Sequence, residues 1–262
     1  MPERESSNFA WKKIKPGMCK SCGQEPYNTR LESLFCSGDC FRDAVDNAPG
    51  LIEYPEDHPI YKRVSALFTT SWLHPSVSPK KVKAIYMIVL TSDLHSSYMD
   101  YLNEVEYRED FESQGLPKGN ESERWHGTTR ECLIGDHSNT QFCQSLDCSL
   151  CGILQDSYSL DFYQGKTGWG RFGRGIYTTG TSSKADTYSV NNNSSKWKAV
   201  ILNKVAIGNG ASVTLNLPKL TAPPPGYDSV LGEPMKTGHL NYDECVVYNN
   251  DALRPEYLIM YK

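Results

Sequence analysis

From Pro59 the apolar residues Ile60, Val64, Leu67, Phe68 and Trp72 recur at helical spacing, with the proline in the first turn, where its missing N–H is harmless. Pro75 and Pro79 end that run. Lys83–Leu90 (KAIYMIVL) is then apolar almost throughout, which predicts a buried strand. Thr91, Ser92 and Asp93 supply capping oxygens for a helix whose Leu94, Tyr98, Tyr101, Leu102 and Val105 share one face, and which stops before Gly115-Leu116-Pro117. Further along, Gly175–Thr178, Lys196–Asn209 and Tyr242–Tyr248 read as strands. Ser182–Tyr188 reads as a hydroxyl-capped helical turn, and Thr221–Gly226 as a proline-rich turn. There is no internal repeat and no low-complexity segment.

Size and charge narrow the picture. With 262 residues and 39% hydrophobic content, the chain suffices for one good core and a small appendage. A formal charge of −4 argues against a general nucleic-acid binder. No stretch approaches the ~20 apolar residues of a membrane span, and Met1–Ala10 lacks the apolar run of a secretory signal. A soluble intracellular protein, cytoplasmic or nuclear, is expected.

The nine cysteines fall into two quartets and a remainder: Cys19, Cys22, Cys36, Cys40; then Cys132, Cys143, Cys148, Cys151; then Cys245 alone. Disulfides are the rival reading, but CxxC spacing in a chain without a signal peptide favours two tetrahedral zinc thiolate sites in a reducing compartment. Zinc held this way would move the net charge toward about −8. In the first quartet Gly23 allows a tight turn after Cys22, Phe35 offers apolar packing, and a short helix is predicted over Ser37–Val45. A module of ~40 residues would take its folding energy from the metal. Its use stays open between structural cap, protein-docking knob and nucleic-acid contact, since Lys12, Lys13, Lys15 and Lys20 make only a modest basic set. Asn47–Gly50, with Pro55 and Pro59 close behind, reads as a linker, which divides a zinc module (1–50) from a larger domain (51–262). The second quartet lies in a polar loop that returns at Ile153-Leu154. His137, inside that loop, is an alternative ligand to Cys132.

The densest signal is Gly165–Tyr188, GKTGWGRFGRGIYTTGTSSKADTY. Its glycines at 165, 168, 170, 173 and 175 would let backbone approach a ligand. Tyr177 on a strand and Tyr188 on the following helix could form a flat slot for a planar cationic ring, though two such tyrosines are equally compatible with ordinary core packing. Neither glycine fingerprint for nucleotides is present. Two further blocks decide the matter: Arg124-Trp125-His126-Gly127-Thr128 upstream, and Tyr242-Asp243-Glu244-Cys245-Val246-Val247-Tyr248 downstream.

Together these blocks resemble the poly(ADP-ribose) polymerase family, the ADP-ribosyltransferases related to diphtheria toxin, over roughly residues 55–262. That family is marked by a His, a Tyr and a Glu on three separate strands, here His126, Tyr177 and Glu244. FGRGIYTTGTSSKADTY is similar to the family's FGKGIYF and the SK-containing helix after it, and NNDALRPEYLIMYK to its final strand. The resemblance implies an α+β fold of two packed antiparallel or mixed sheets with flanking helices. It implies NAD as substrate and a macromolecular acceptor, most simply a protein, with a nucleic-acid end as the alternative. Single ADP-ribose transfer is favoured over chain elongation. The binding residues it implies are His126, Gly127, Thr128, Tyr177, Lys184 and Tyr188. His126 would contact the adenosine ribose, the Gly127 backbone the carboxamide, the two tyrosines the nicotinamide ring, and Glu244 the nicotinamide ribose 2′-hydroxyl. Lys184 would lie near Glu244 or the acceptor, and the Ser229–Leu240 loop near the acceptor. About 65 residues separate the linker from His126, too few for the regulatory helical subdomain some relatives carry, so an open site is expected. One position departs from the pattern. Ala185 stands where the family usually has a serine bonded to the carboxamide, so about 1 kcal/mol of hydrogen bonding should be missing unless Ser182 or Ser183 takes its place.

Overall fold

The computed structural model describes residues 17–28, 33–162, 170–234 and 240–262. Met1–Ala10, Lys12, Lys13, Lys15, Gly165, Gly168 and residues 235–239 of the acceptor-side loop lie outside the described residues.

Ser37 accepts from the Cys40 amide and so starts helix α1, Gly38–Asp46, at the second cysteine pair. Strand β1, Gly50–Glu53, follows at once. Helix α2, Pro59–Thr70, begins at the predicted proline, with the His58 ring accepting from the Ile60 amide. The continuous apolar run is strand β2, Val82–Val89, and helix α3 covers Ser92–Glu109. Strands β3, Glu121–Gly127, and β4, Thr129–Arg130, precede the second cysteine group, which ends in helix α4, Ser149–Asp156. Then come β5, Ile176–Thr178; α5, Ser182–Tyr188; β6, Val190–Asn191; β7, Lys198–Ala206; β8, Gly210–Val213; β9, Ser229–Gly232; β10, Glu244–Val247; and β11, Leu253–Tyr261.

These make an α+β fold. One five-stranded sheet, ordered β1-β2-β11-β7-β3, is antiparallel throughout. A second, four-stranded sheet runs β5-β10-β9-β8, with β8 and β9 parallel, and β4 and β6 form a short parallel pair. Trp125 and Thr179 exchange backbone hydrogen bonds of 2.7 and 3.0 Å, which ties the end of β3 to the end of β5. The two sheets therefore meet where the His126 and Tyr177 blocks run side by side.

The five-stranded sheet is covered on both faces, which is why β2, β7 and β11 are buried almost end to end. One face carries α2 and α5, with Val64, Phe68, Trp72, Trp125 and Ala185 packed on Val82, Ile259 and Tyr261. Cys19, Leu34, Phe35 and Ala44 belong to that same cluster, so the first cysteine module sits on the core through Tyr54, Ile60 and Tyr61. The other face carries α4 and the second cysteine group, packed on Ala84, Tyr86, Ala199 and Met260.

Candidate active site

His126, Gly127, Tyr177, Lys184, Ala185, Tyr188 and Glu244 line one cleft of about 180 Å³, floored by Trp125 and bounded by Gly170, Thr178 and Thr179. The His, Tyr and Glu blocks thus stand on β3, β5 and β10, three separate strands. Thr128 is not among the lining residues; its carbonyl accepts from Val190 at 3.2 Å and starts the β4–β6 pairing.

The His126 Nδ1 donates to the Tyr177 carbonyl at 2.9 Å, which fixes the tautomer because that oxygen can only accept. Burial pulls the imidazole pKa below 6.5, with the Tyr177 carbonyl opposing it in part. At neutral pH the ring is uncharged and Nε2 remains an acceptor, ready for a ribose hydroxyl. Tyr158 stands edge-on to the ring, 5.1 Å between centroids.

The Tyr177 hydroxyl donates to the Gly173 carbonyl at 2.8 Å and accepts from the Phe172 amide at 3.0 Å, so this ring is held rigid by the glycine segment before it. Two of those glycines exist for packing rather than ligand approach. A Cβ on Gly173 would fall 1.9 Å from the Leu220 carbonyl, and one on Gly175 would fall 2.3 Å from Val246 Cγ1. Among the described glycines of this segment, Gly170 borders the cleft. Gly127 also lacks a side chain for steric reasons, since its Cβ would meet the Ala185 carbonyl at 1.9 Å. That close approach brings α5 against β3 and sets Tyr188, 50% exposed, at the mouth of the slot.

Glu244 is the first residue of β10 and only 7% exposed. Its Oε1 accepts from Lys184 Nζ at 2.7 Å, and the same ammonium reaches the carbonyls of Tyr242 at 3.3 Å and Asp243 at 3.2 Å. Desolvation lowers the Lys184 pKa from its usual value, and the Glu244 charge works against that shift. Glu244 Oε2 is buried and has no hydrogen-bond partner among the described residues. A buried lone oxygen of this kind, on a cleft wall, is where a ligand hydroxyl would bond.

Asp243 was not marked by any motif, yet it holds this arrangement together. Its oxygens accept from Arg124 Nη1 at 2.6 Å, the Gly180 amide at 2.8 Å, Thr179 Oγ1 at 3.0 Å and Thr181 Oγ1 at 3.1 Å. The pair joins β3, the β5–α5 turn and β10. It also corrects the expected hydroxyl cap on α5: Thr181 occupies the N-cap position but makes no side-chain cap bond, its hydroxyl being turned to Asp243. A pairing between residues 119 apart left only one sequence trace, a charged residue beside each block: Arg124 two before His126, and Asp243 one before Glu244.

Neither neighbouring serine replaces the missing hydroxyl at Ala185. Ser182 Oγ donates to the Phe68 carbonyl at 2.7 Å, and Ser183 Oγ accepts from the Leu73 amide at 3.1 Å. Both face the last turn of α2 and the chain just beyond it, and neither lines the cleft.

Each cysteine quartet converges, with all four sulfurs within 4.8 Å of one another. The closest pairs are 3.6 and 3.8 Å in the first group and 3.5 and 3.9 Å in the second. The edge of a zinc–thiolate tetrahedron with bonds of ≈ 2.3 Å is about 3.8 Å, whereas a disulfide requires ≈ 2.05 Å. Both quartets therefore fit a metal and not a cross-link. His137 is not a ligand; its ring lies against Trp197, 4.5 Å between centroids. Buried Arg130 fixes the second loop through the Ile134 carbonyl and Asp136, both at 2.8 Å.

The sequence profile of the poly(ADP-ribose) polymerase catalytic domain matches residues 91–239, more than half of the chain. The chain belongs to the poly(ADP-ribose) polymerase family. The matched span contains His126, Tyr177, Lys184 and Tyr188 and stops short of Glu244, whose position rests on the pairing of β10 with β5 and β9. A polymerase-family catalytic domain is an ADP-ribosyltransferase domain that takes NAD as its substrate.

Proposed function

We propose that the protein transfers single ADP-ribose units from NAD to a macromolecular acceptor, a protein in the simplest case, with Glu244, His126 and Tyr177 as the working residues. The observation that carries this reading is the buried Glu244 carboxylate, with one oxygen on Lys184 and the other without a partner among the described residues. In the reaction the glycosidic bond to nicotinamide breaks and its electron pair stays with the ring, which leaves neutral. The acceptor nucleophile bonds to the anomeric carbon and gives up its proton. The transition state is oxocarbenium-like, so a carboxylate bonded to the ribose 2′-hydroxyl favours the developing positive charge. Tyr177 and Tyr188 would hold the leaving ring, the Gly127 backbone its carboxamide, and the neutral His126 ring the adenosine ribose. Lys184 keeps Glu244 aimed.

Elongation would need a second site for the growing ADP-ribose end, while single transfer needs only this cleft. A reading with little transfer, the fold being kept for binding, draws support from Ala185 and from the engagement of Ser182 and Ser183 by α2. The zinc sites are assigned a structural role, because four thiolates close the coordination shell. Thiolate zinc also favours a reducing compartment, cytoplasm or nucleus. Incubation with labelled NAD separates the readings. Glu244→Gln should lower turnover by roughly 10²-fold or more while NAD still binds; equal label transfer by both proteins would remove Glu244 from the mechanism, and none by either would favour the binding module.

A further inference from the structure

The face of the five-stranded sheet opposite α5 ends in a cationic border. Side chains alternate along β11, so that Tyr261 joins Ala185 on the α5 side and Met260 joins the second cysteine group on the other. Lys262 is next on the Met260 side. It exchanges two backbone hydrogen bonds, 3.0 and 2.9 Å, with Lys81, so two lysines stand directly opposite each other across the strands. Like charges in that position destabilise a sheet unless something neutralises them. Lys80 and Lys83 flank Lys81, and Lys196 precedes β7 beside Lys262, because Tyr261 pairs with Lys198. Lys80, Lys81, Lys196 and Lys262 are exposed.

None of these five lysines is in an ion pair among the described residues. Asp186 is committed to Lys198 and Asp136 to Arg130. The same border carries a stacked pair of rings. His137 is exposed and Trp197, next to Lys196 and Lys198 in the chain, is half-buried; their centroids are 4.5 Å apart at 39°. His137 holds φ at 48°, a backbone conformation that side chains rarely adopt.

We infer that this border, formed by Lys80, Lys81, Lys83, Lys196 and Lys262 around the Trp197–His137 pair, binds a single-stranded nucleic acid. Unpaired lysines track a phosphate backbone without reading sequence, and the exposed His137 ring, backed by Trp197, offers a face on which a base stacks. A lipid surface would call for aliphatic side chains standing out between the lysines, and Val82, the one aliphatic residue between Lys81 and Lys83, is buried. The chain as a whole is negative, so this is a local field and not a general affinity for polyanions. None of these residues lines the Glu244 cleft, and the assignment does not depend on transfer activity.

Fluorescence polarisation of a labelled mixed-sequence DNA strand of about 16 nucleotides tests this. With about four phosphates neutralised, affinity should fall about 50-fold between about 50 and 200 mM salt. The double variant Lys81→Glu/Lys262→Glu should lose at least about tenfold in affinity at the lower salt. His137→Asn, which suits the left-handed backbone and removes the ring, should lose about fivefold or more. Both variants change exposed side chains, and an unchanged melting curve confirms their folding. No binding by the unmodified protein, undiminished binding by both variants, equal displacement by polyglutamate of the same charge, or preference for phosphatidylserine vesicles would each overturn the assignment.

Discussion

The link between Asp243 and Arg124 makes a quantitative prediction. In Asp243→Ala, four donors from two segments, β3 and the β5–α5 turn, lose their acceptor together, and the Arg124 guanidinium loses its ion partner. The two side chains are 30% and 20% exposed, so the cost falls below the ~3–5 kcal/mol of a fully buried broken pair, at about 2–3 kcal/mol. For a chain of this size that lowers Tm by about 5–10 °C. The kinetic effect should be uneven. Glu244 is the next residue, so its aim at the ribose loosens and kcat falls about 10- to 100-fold. KM for NAD changes by less than about threefold, because Tyr177, Tyr188 and His126 keep their own supports. Asp243→Asn keeps the shape and one accepting oxygen and should recover a large part of kcat. Nicotinamide release across a range of NAD concentrations, run beside thermal melting, reads kcat, KM and Tm. A variant that loses Tm but keeps kcat within about threefold would show that Asp243 only holds the fold, and the positioning argument would be wrong.

Ala185→Ser should restore the carboxamide bond and lower KM for NAD about fivefold, the equivalent of about 1 kcal/mol; a rise in KM would mean the hydroxyl does not fit. Because burial places the His126 pKa below 6.5, KM should stay flat from neutral pH down through 6.5 and rise only in more acidic solution, as the ring gains a proton and Nε2 stops accepting. The same sign holds for stability: this group's contribution is complete above 6.5 and is lost as pH falls through the lowered folded value. A KM that never rises before the protein unfolds in acid would exclude the ribose contact. Elemental analysis should find two zinc per chain, and Cys22→Ser should leave about one with a lower Tm. A zinc-free protein that melts at the same temperature would end the structural role.

Much of the site was legible because its residues are local and backbone-borne. Tyr177 and Glu244 each sit in a short strand flanked by apolar residues, whereas the strand of His126 is mostly polar (ESERWHG) and was marked only by the His-Gly-Thr block of the family resemblance; Pro59, Ser37 and the Lys83–Leu90 run marked their elements to within a residue or two. What depended on distant partners was not legible. The hydroxyl cap expected on the Ser182–Tyr188 turn is missing because the Thr181 hydroxyl, at the N-cap position, is claimed by Asp243. The glycines at 173 and 175 advertise backbone freedom, but only Leu220 and Val246, residues from other segments, explain why a side chain is forbidden there. The parallel pairing of β8 with β9 and of β4 with β6 carries no local signal either.

The packing of the first cysteine module has a practical consequence. Leu34, Phe35 and Ala44 share their core with α2, whose far end bonds Ser182 and Ser183 just ahead of Lys184. Trimming the chain at residue 50 would not cut a tether. It would uncover Tyr54, Ile60 and Tyr61, leave a sticky flank on the truncated chain, and loosen the strut behind the cleft-lining helix α5. A shortened form that failed to modify its target would report on a damaged scaffold, so questions about what the module recruits are better put by altering its outward side chains with the metal left in place.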